Sequence, residues 1–214
     1  AYNADPEAVA KTAFALNQNL GVSSDQLSTA LAMIARVGKE SALPMEKLAP
    51  LFPAVAALSA HLGVSGMQGV ADAGAILALI RKNVGSEGAA TADFRAFMQT
   101  LTTGHGRTRF SQSIGLDVEK FINAERDNGR DPVMSVLGLI ASIKNPDRRN
   151  HVINELFVNE QDQSAVAAVG RQWGQLNEIK TRIAGTQPKM IQEDFDTGFQ
   201  STLIRLHLFE DALT

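Results

Sequence analysis

The residues best suited to hold a metal or move a proton near neutral pH are the histidines, and here there are four: His61, His105, His151 and His207. Each stands more than forty residues from the next, so no two share a helical turn as a zinc-binding pair would. With no cysteine in the chain, thiolate zinc sites, iron–sulfur clusters, disulfides and cysteine nucleophiles are excluded together. Among the acids, Glu40 before Ser41 could serve glycan hydrolysis from within a cleft. It leads instead into Ala42-Leu43-Pro44, which reads as a helix end. The pairs Glu193-Asp194 and Glu210-Asp211 are adjacent in sequence, so their members point to different parts of a helix surface and read as solvated. The compact cationic segment is His105-Gly106-Arg107-Thr108-Arg109-Phe110. Its Arg107, Arg109 and Phe110 form a candidate interaction surface, able to hold an anion or a partner's carboxylate. No catalytic residue, cofactor site or metal site is predicted.

Charge and composition narrow the partners. The 214 residues carry 20 Lys+Arg against 23 Asp+Glu, a formal charge of -3, which is not the footprint of a duplex-binding domain. Single-stranded nucleic acid needs several aromatic platforms beside the charge, and the cationic segment offers only Phe110. With 44% apolar and 20% charged residues the chain can bury a real core. The most apolar window, Gly69 to Ile80, is shorter than the ~20 residues that span a bilayer. No membrane span is expected. The start, Ala1-Tyr2-Asn3-Ala4-Asp5-Pro6-Glu7, lacks an initiator Met and the order of a signal peptide, and reads as the beginning of a segment of a longer protein.

The elements that would position these residues are helical. Apolar residues recur at spacings of three and four, and no convincing run alternates with period two, so the expected class is all-α, a multi-helix bundle of short antiparallel helices. Helices are predicted roughly at 6–19, 24–41, 45–62, 66–83, 90–102, 116–128, 132–144, 147–158, 162–185 and 188–211. Pro6, Pro44, Pro132 and Pro188 stand where helices could begin, Pro132 directly after the capping candidate Asp131. Gly21, Gly63, Gly129 and Gly185 stand near predicted ends. Pro50 and Pro53 fall inside 45–62, so that helix either starts at Leu51 or is kinked. Trp173, in register with Val166, Val169, Leu176 and Ile183, reads as core or as an interface anchor.

A weak repeat runs through the first half. Leu20-Gly21-Val22-Ser23 returns as Leu62-Gly63-Val64-Ser65, each Ser followed three residues later by Gln26 or Gln68 in a capping-box pattern, and Ile114-Gly115-Leu116-Asp117 is a degenerate third copy. Residues 1–107 contain 23 alanines and 108–214 contain 7. The small residues Gly66, Gly69, Ala73, Gly74 and Ala78 predict closely packed helix backbones. The expected organisation is an Ala-rich helical subdomain over 1–104, a loop or linker at 105–112, and a second helical subdomain over 113–214, the two packed together.

This order of elements resembles the conserved core region of phage tail tape measure proteins. There, Ala-rich helices joined by Gly-x-Ser turns precede a Gly-hydrophobic-Asp segment. The matching residues are Gly21-Val22-Ser23, Gly63-Val64-Ser65 and Gly115-Leu116-Asp117-Val118. The later connector and helix are matched by Gly129-Arg130-Asp131-Pro132, Val136-Leu137 and Ile140, followed by the polar turn Asn145-Pro146-Asp147-Arg148-Arg149. Glu155-Leu156-Phe157 then ends on Val158, where the family usually has Gly. The likeness covers about residues 20–185 and rests on helix patterning and turn residues.

The resemblance implies a structural, non-enzymatic role without cofactors. Tape measure proteins set tail length during assembly, occupy the tail-tube lumen, are helped by assembly chaperones and leave before or with the DNA. By this resemblance the partners are other phage tail proteins (tail tube, tail tip and assembly chaperone) and the chain itself. The location is the virion tail, after synthesis in the bacterial host cytoplasm. A continuous helix of this length would extend ~320 Å, but the Gly and Pro punctuation breaks it, so the expectation is a folded module acting through helix-mediated contacts. The alternative is a generic α-helical adaptor that takes a partner helix or peptide in a groove between helix pairs. A small-ligand enzyme would require a deep pocket with two titratable groups of perturbed pKa.

Overall fold

The computed structural model describes residues 5–156, 167 and 169–189, and among them there are helices and no strands. The protein is all-α, a helical bundle. In chain order the helices are α1 (Pro6–Leu20), α2 (Leu27–Ser41), α3 (Met45–Leu48), α4 (Phe52–His61), α5 (Gly66–Asn83) and α6 (Glu87–Thr102). They continue with α7 (Gly104–Ile114), α8 (Val118–Asp127), α9 (Pro132–Ser142), α10 (Pro146–Leu156) and α11 (Trp173–Ala184).

Local chemistry sets most boundaries. Asp5 caps α1 by accepting from the Glu7 N–H, with Pro6 in the first turn. Asp131 caps α9 by accepting from the Val133 and Met134 N–H groups, again with Pro at the first position. The repeated sequence is a repeated connector. Gly21, Gly63 and Gly115 adopt positive φ, and the next residue's N–H reaches back five or six residues, Val22 to Leu16, Val64 to Ser59 and Leu116 to Ser111. Val22 and Val64 are then buried, whereas Leu116 in the degenerate copy is 38% exposed.

Several expectations need correction. Neither Ser23 nor Ser65 makes the capping-box hydrogen bond: Ser24–Gln26 forms a 3₁₀ turn ahead of α2, and Gln68 donates instead to Asp72 one turn later. The helix expected at 45–62 is two helices, because the turn carrying Pro50 ends α3 and Pro53 is accommodated in the first turn of α4. Gly185 ends α11 at φ -77 rather than in the left-handed conformation. The helix expected at 162–185 is interrupted at Gln172 (φ -108, ψ 33), and α11 begins at Trp173. Its residues 162–166, the ends of the helices expected at 147–158 and 188–211, and the Phe157-Val158 turn lie outside the described residues.

The segment 105–112, expected as a loop or linker, lies within α7. Its glycines argue locally against a helix. Thr103 nevertheless caps α7 through the Gly106 N–H, Gly106 lies against the Thr100 carbonyl where no Cβ would fit, and Phe110 is fully buried. Tertiary packing against α6, α8 and α10 therefore overrides propensity.

The core is organised about α5. Every residue from Gly69 to Ile80 is buried, and apart from Asp72 the stretch is apolar all round because neighbours cover it on all sides. It packs on α2 and α11 most extensively, and also on α1, α4 and α6. The small residues permit this: a Cβ on Gly74 would lie 2.5 Å from Val37 Cγ2. α11 adds Leu176, Ile179 and Ile183 to the same hydrophobic cluster, and α8, α9 and α10 add Val118, Ile122, Val136, Leu137, Ile140, Val152 and Ile153. Among the described residues no single helix is long and apolar enough to cross a membrane. The apolar pair α4 and α5 is bent by 114°.

Candidate functional site

The cationic segment does not form one exposed surface. Arg107, Arg109 and Phe110 lie on α7, and residues two apart on a helix point about 200° apart. Arg107 turns back into the protein, donating from Nε to the Leu101 carbonyl at 2.7 Å and lying 3.7 Å from Glu119 of α8. Arg109 is half-buried. Phe110 is a core residue with no exposed surface, which corrects its reading as an aromatic contact for a partner. Its apolar ring is what fastens α7 to the bundle. The carboxylate that Arg107 meets is the chain's own.

Glu40 is held by cations from three helices. Arg182 of α11 donates from Nε at 2.8 Å, Arg36 of α2 lies 3.0 Å away, and Lys82 of α5 lies at 3.9 Å. The hydrogen bonds from Arg182 lead in holding the Glu40 carboxyl below its ordinary range. That is the opposite of the raised value a general acid needs. Glu40 ties α2, α5 and α11 together at their ends.

The densest polar site was not legible as a site in the sequence. Asp72 interrupts the apolar run of α5 and is 1% exposed. Its Oδ1 accepts from Lys180 Nζ of α11 at 2.7 Å and from Gln68 Nε2 at 3.1 Å. Asp131, the α9 cap, lines the same groove as Asp72 and Lys180. No donor group reaches Oδ2 of either residue, and both Oδ2 atoms are closed off from solvent. Burial, followed by the negative charge of Asp72, pushes the Asp131 carboxyl up to about 7, against the opposing pull of the Met134 and Val133 N–H groups. Beside the pair, Arg130 forms a bidentate contact with Glu125, which also accepts from Ser135 Oγ at 2.6 Å. These two donors bring Glu125 down to about 2.

Two shallow grooves flank the pair. One, of about 240 Å³, runs past Gly63, Arg126 and Arg130; the other, of about 390 Å³, runs past Met134, Trp173, Asn177 and Lys180. Trp173 is half-buried and covers Gly138 of α9, where a Cβ would lie 3.2 Å from the indole. The Oδ2 atoms of both carboxyls are closed off from a solute in the groove, and Asp72 joins α5 to α11 through Lys180. The sequence signal for it was the single charge inside the Gly69–Ile80 run, since a buried charge needs a partner.

Among the described residues no group of three or more histidine or acidic side chains gathers as a metal site. His207 and the pairs Glu193-Asp194 and Glu210-Asp211 lie outside the described residues. No curated protein and no solved structure matches the chain. The family described as phage-related minor tail protein matches over residues 1–157, close to three quarters of the length, and covers α1 to α10. The chain thus belongs to the phage-related minor tail proteins, and its role is that of a phage tail protein.

Proposed function

We propose that this chain is a folded structural module of a phage or prophage tail tape measure protein, contributing to tail assembly and length determination through helix-mediated contacts. The observation that carries the reading is the family match over residues 1–157, which supports a tail role. The tape measure assignment adds the resemblance of residues 20–185. The architecture suits a module rather than a ruler: α5, with 18 residues, reaches only about 27 Å. The proposed partners are other tail proteins, among them tube, tip and assembly chaperone, and a second copy of the chain.

The test is mass spectrometry of purified tails, combined with an in-frame deletion of residues 1–214 from the parent gene. Peptides such as Asp131 to Lys144 should occur in the longest structural polypeptide of the tail, and the deletion should abolish tails or alter their length. Absence of these peptides from particles, with normal tails formed without the segment, overturns the reading. A second reading, the adaptor that takes a partner helix, is favoured by a groove of about 630 Å³ between the α3–α4 turn and α6, with Pro50, Leu51, Ala92 and Ala96 along its walls. That reading expects a tail protein to protect α6 amides from hydrogen exchange.

A further inference from the structure

The third copy of the repeated connector lacks the cover that the first two have. In each copy a glycine at positive φ, Gly21, Gly63 or Gly115, precedes an apolar residue whose N–H reaches back along the helix before it. Val22 and Val64 lie in the core, 0% and 4% exposed, whereas Leu116 is 38% exposed. Among the described residues it is, with Phe14, an exposed large hydrophobic side chain. The copies also differ in how their flanking helices are paired. α1, which precedes the first copy, packs chiefly on α4, which precedes the second, and α2, which follows the first, packs chiefly on α5, which follows the second. Equivalent helix meets equivalent helix, as across the isologous interface of a symmetric dimer. α7 and α8 flank the third copy, and their main packing is on α6, α9 and α10, helices that flank no copy of the connector.

The surface at the third copy suits a second copy of itself. Leu116 lines an open groove of about 620 Å³ with Arg107 and Gln112 of α7, the α8 cap Asp117, and Glu119 of α8. Arg107 lies 3.7 Å from Glu119 and Lys120 lies 3.2 Å from Asp117, so cations and acids balance around the leucine. A rim of one sign would repel its own copy, whereas a mixed rim sets the cations of one chain against the acids of the other. The far end of α8 is tied to the second connector by Arg126, which donates to the Leu62 carbonyl at 3.2 Å. The rise from Val118 to Arg126, about 12 Å, holds Leu116 away from that contact.

We propose that the α7–α8 unit is a self-association surface, on which the same unit of a second copy of this chain docks two-fold about Leu116. The inference rests on the second copy named among the partners above and gives that contact its place.

A contact centred on one leucine per chain is weak, with a dimer dissociation constant on the order of 10⁻⁴ M. Sedimentation velocity of the 214-residue chain, from well below to well above this concentration, should show a monomer passing to a dimer. Leu116→Asp should weaken the dimer at least about tenfold, because a two-fold contact loses the side chain twice. It should keep the thermal transition, because the side chain is exposed. The chain has no cysteine, so Gln112→Cys and, on the exposed face of α1, Gln18→Cys each carry one spin label per chain. In the dimer, labels at 112 should lie closer together than labels at 18. A chain that stays monomeric, a dimer that Leu116→Asp leaves unchanged, or labels closer at 18 than at 112 overturns the proposal. Should Leu116→Asp fail to fold, the two label distances decide. A monomer removes the second copy from the partners and leaves the tail role to the deletion experiment.

Discussion

At the residue scale, buried polarity here joins helices. Glu125 is the clearest acid-sensitive contact: it is brought down to about 2 from 4.5 by Arg130 first and Ser135 second. A depressed carboxylate stabilises the fold above its unfolded value, and the contribution is lost as pH falls from about 4.5 toward 2. Ser135→Ala should raise the Glu125 pKa in an NMR titration and cost about 1 kcal/mol at neutral pH in chemical unfolding. Glu40 follows the same sign, lowered chiefly by the hydrogen bonds from Arg182. Arg182→Ala should move its titration back toward the ordinary range. Phe110 tests the other side of the argument. If it anchors α7 from within, Phe110→Ala should cost about 3–5 kcal/mol in unfolding experiments. A partner contact at an exposed ring would leave stability unchanged.

At the element scale, small residues decide which helices can meet. α2 and α5 cross where Gly74 faces Val37, and the tight distance leaves no room for a methyl group. Gly74→Ala should therefore destabilise by about 1–3 kcal/mol through overpacking, despite the better helix propensity of alanine. Adding Val37→Ala should recover part of the loss, and a double-mutant cycle in urea measures the coupling. If propensity dominated, Gly74→Ala alone would stabilise. The connectors obey a related logic. Gly63 has φ of 84, so the backbone conformation favours glycine there, and the Arg126 side chain lies over it.

At the scale of the whole molecule, the packed unit extends past the family match. The match ends at residue 157, yet α11 places Leu176, Ile179 and Ile183, each without exposed surface, against α2 and α5. A fully buried aliphatic side chain contributes about 1.5–3 kcal/mol, so three supply roughly 5–9 kcal/mol, comparable to the net stability of a typical domain, about 5–15 kcal/mol. A chain ended after residue 157 should lose its cooperative thermal transition and bind a hydrophobic dye at the uncovered face of α5. A sharp transition near that of the full chain would show that α11 is dispensable to the core.

Spacing and punctuation were enough for the helical class, for the bounds of α5 and for the Asp131-Pro132 start of α9, because caps and periodicity act over a few residues. A phage tail protein was likewise legible in turn residues and helix order. Three features depended on contacts between residues far apart in sequence. α7 forms across two glycines because Phe110 is buried, Gln68 leaves its cap for Asp72, and Asp72 pairs with Lys180 along a groove that Asp131 also lines. Sequence assigned Asp131 a local role as a cap, and it has that role. For Asp72, only the packing of α11 onto α5 supplied the Lys180 cation, because a carboxyl removed from water must find a proton or a cation, and the tertiary structure determines which is within reach.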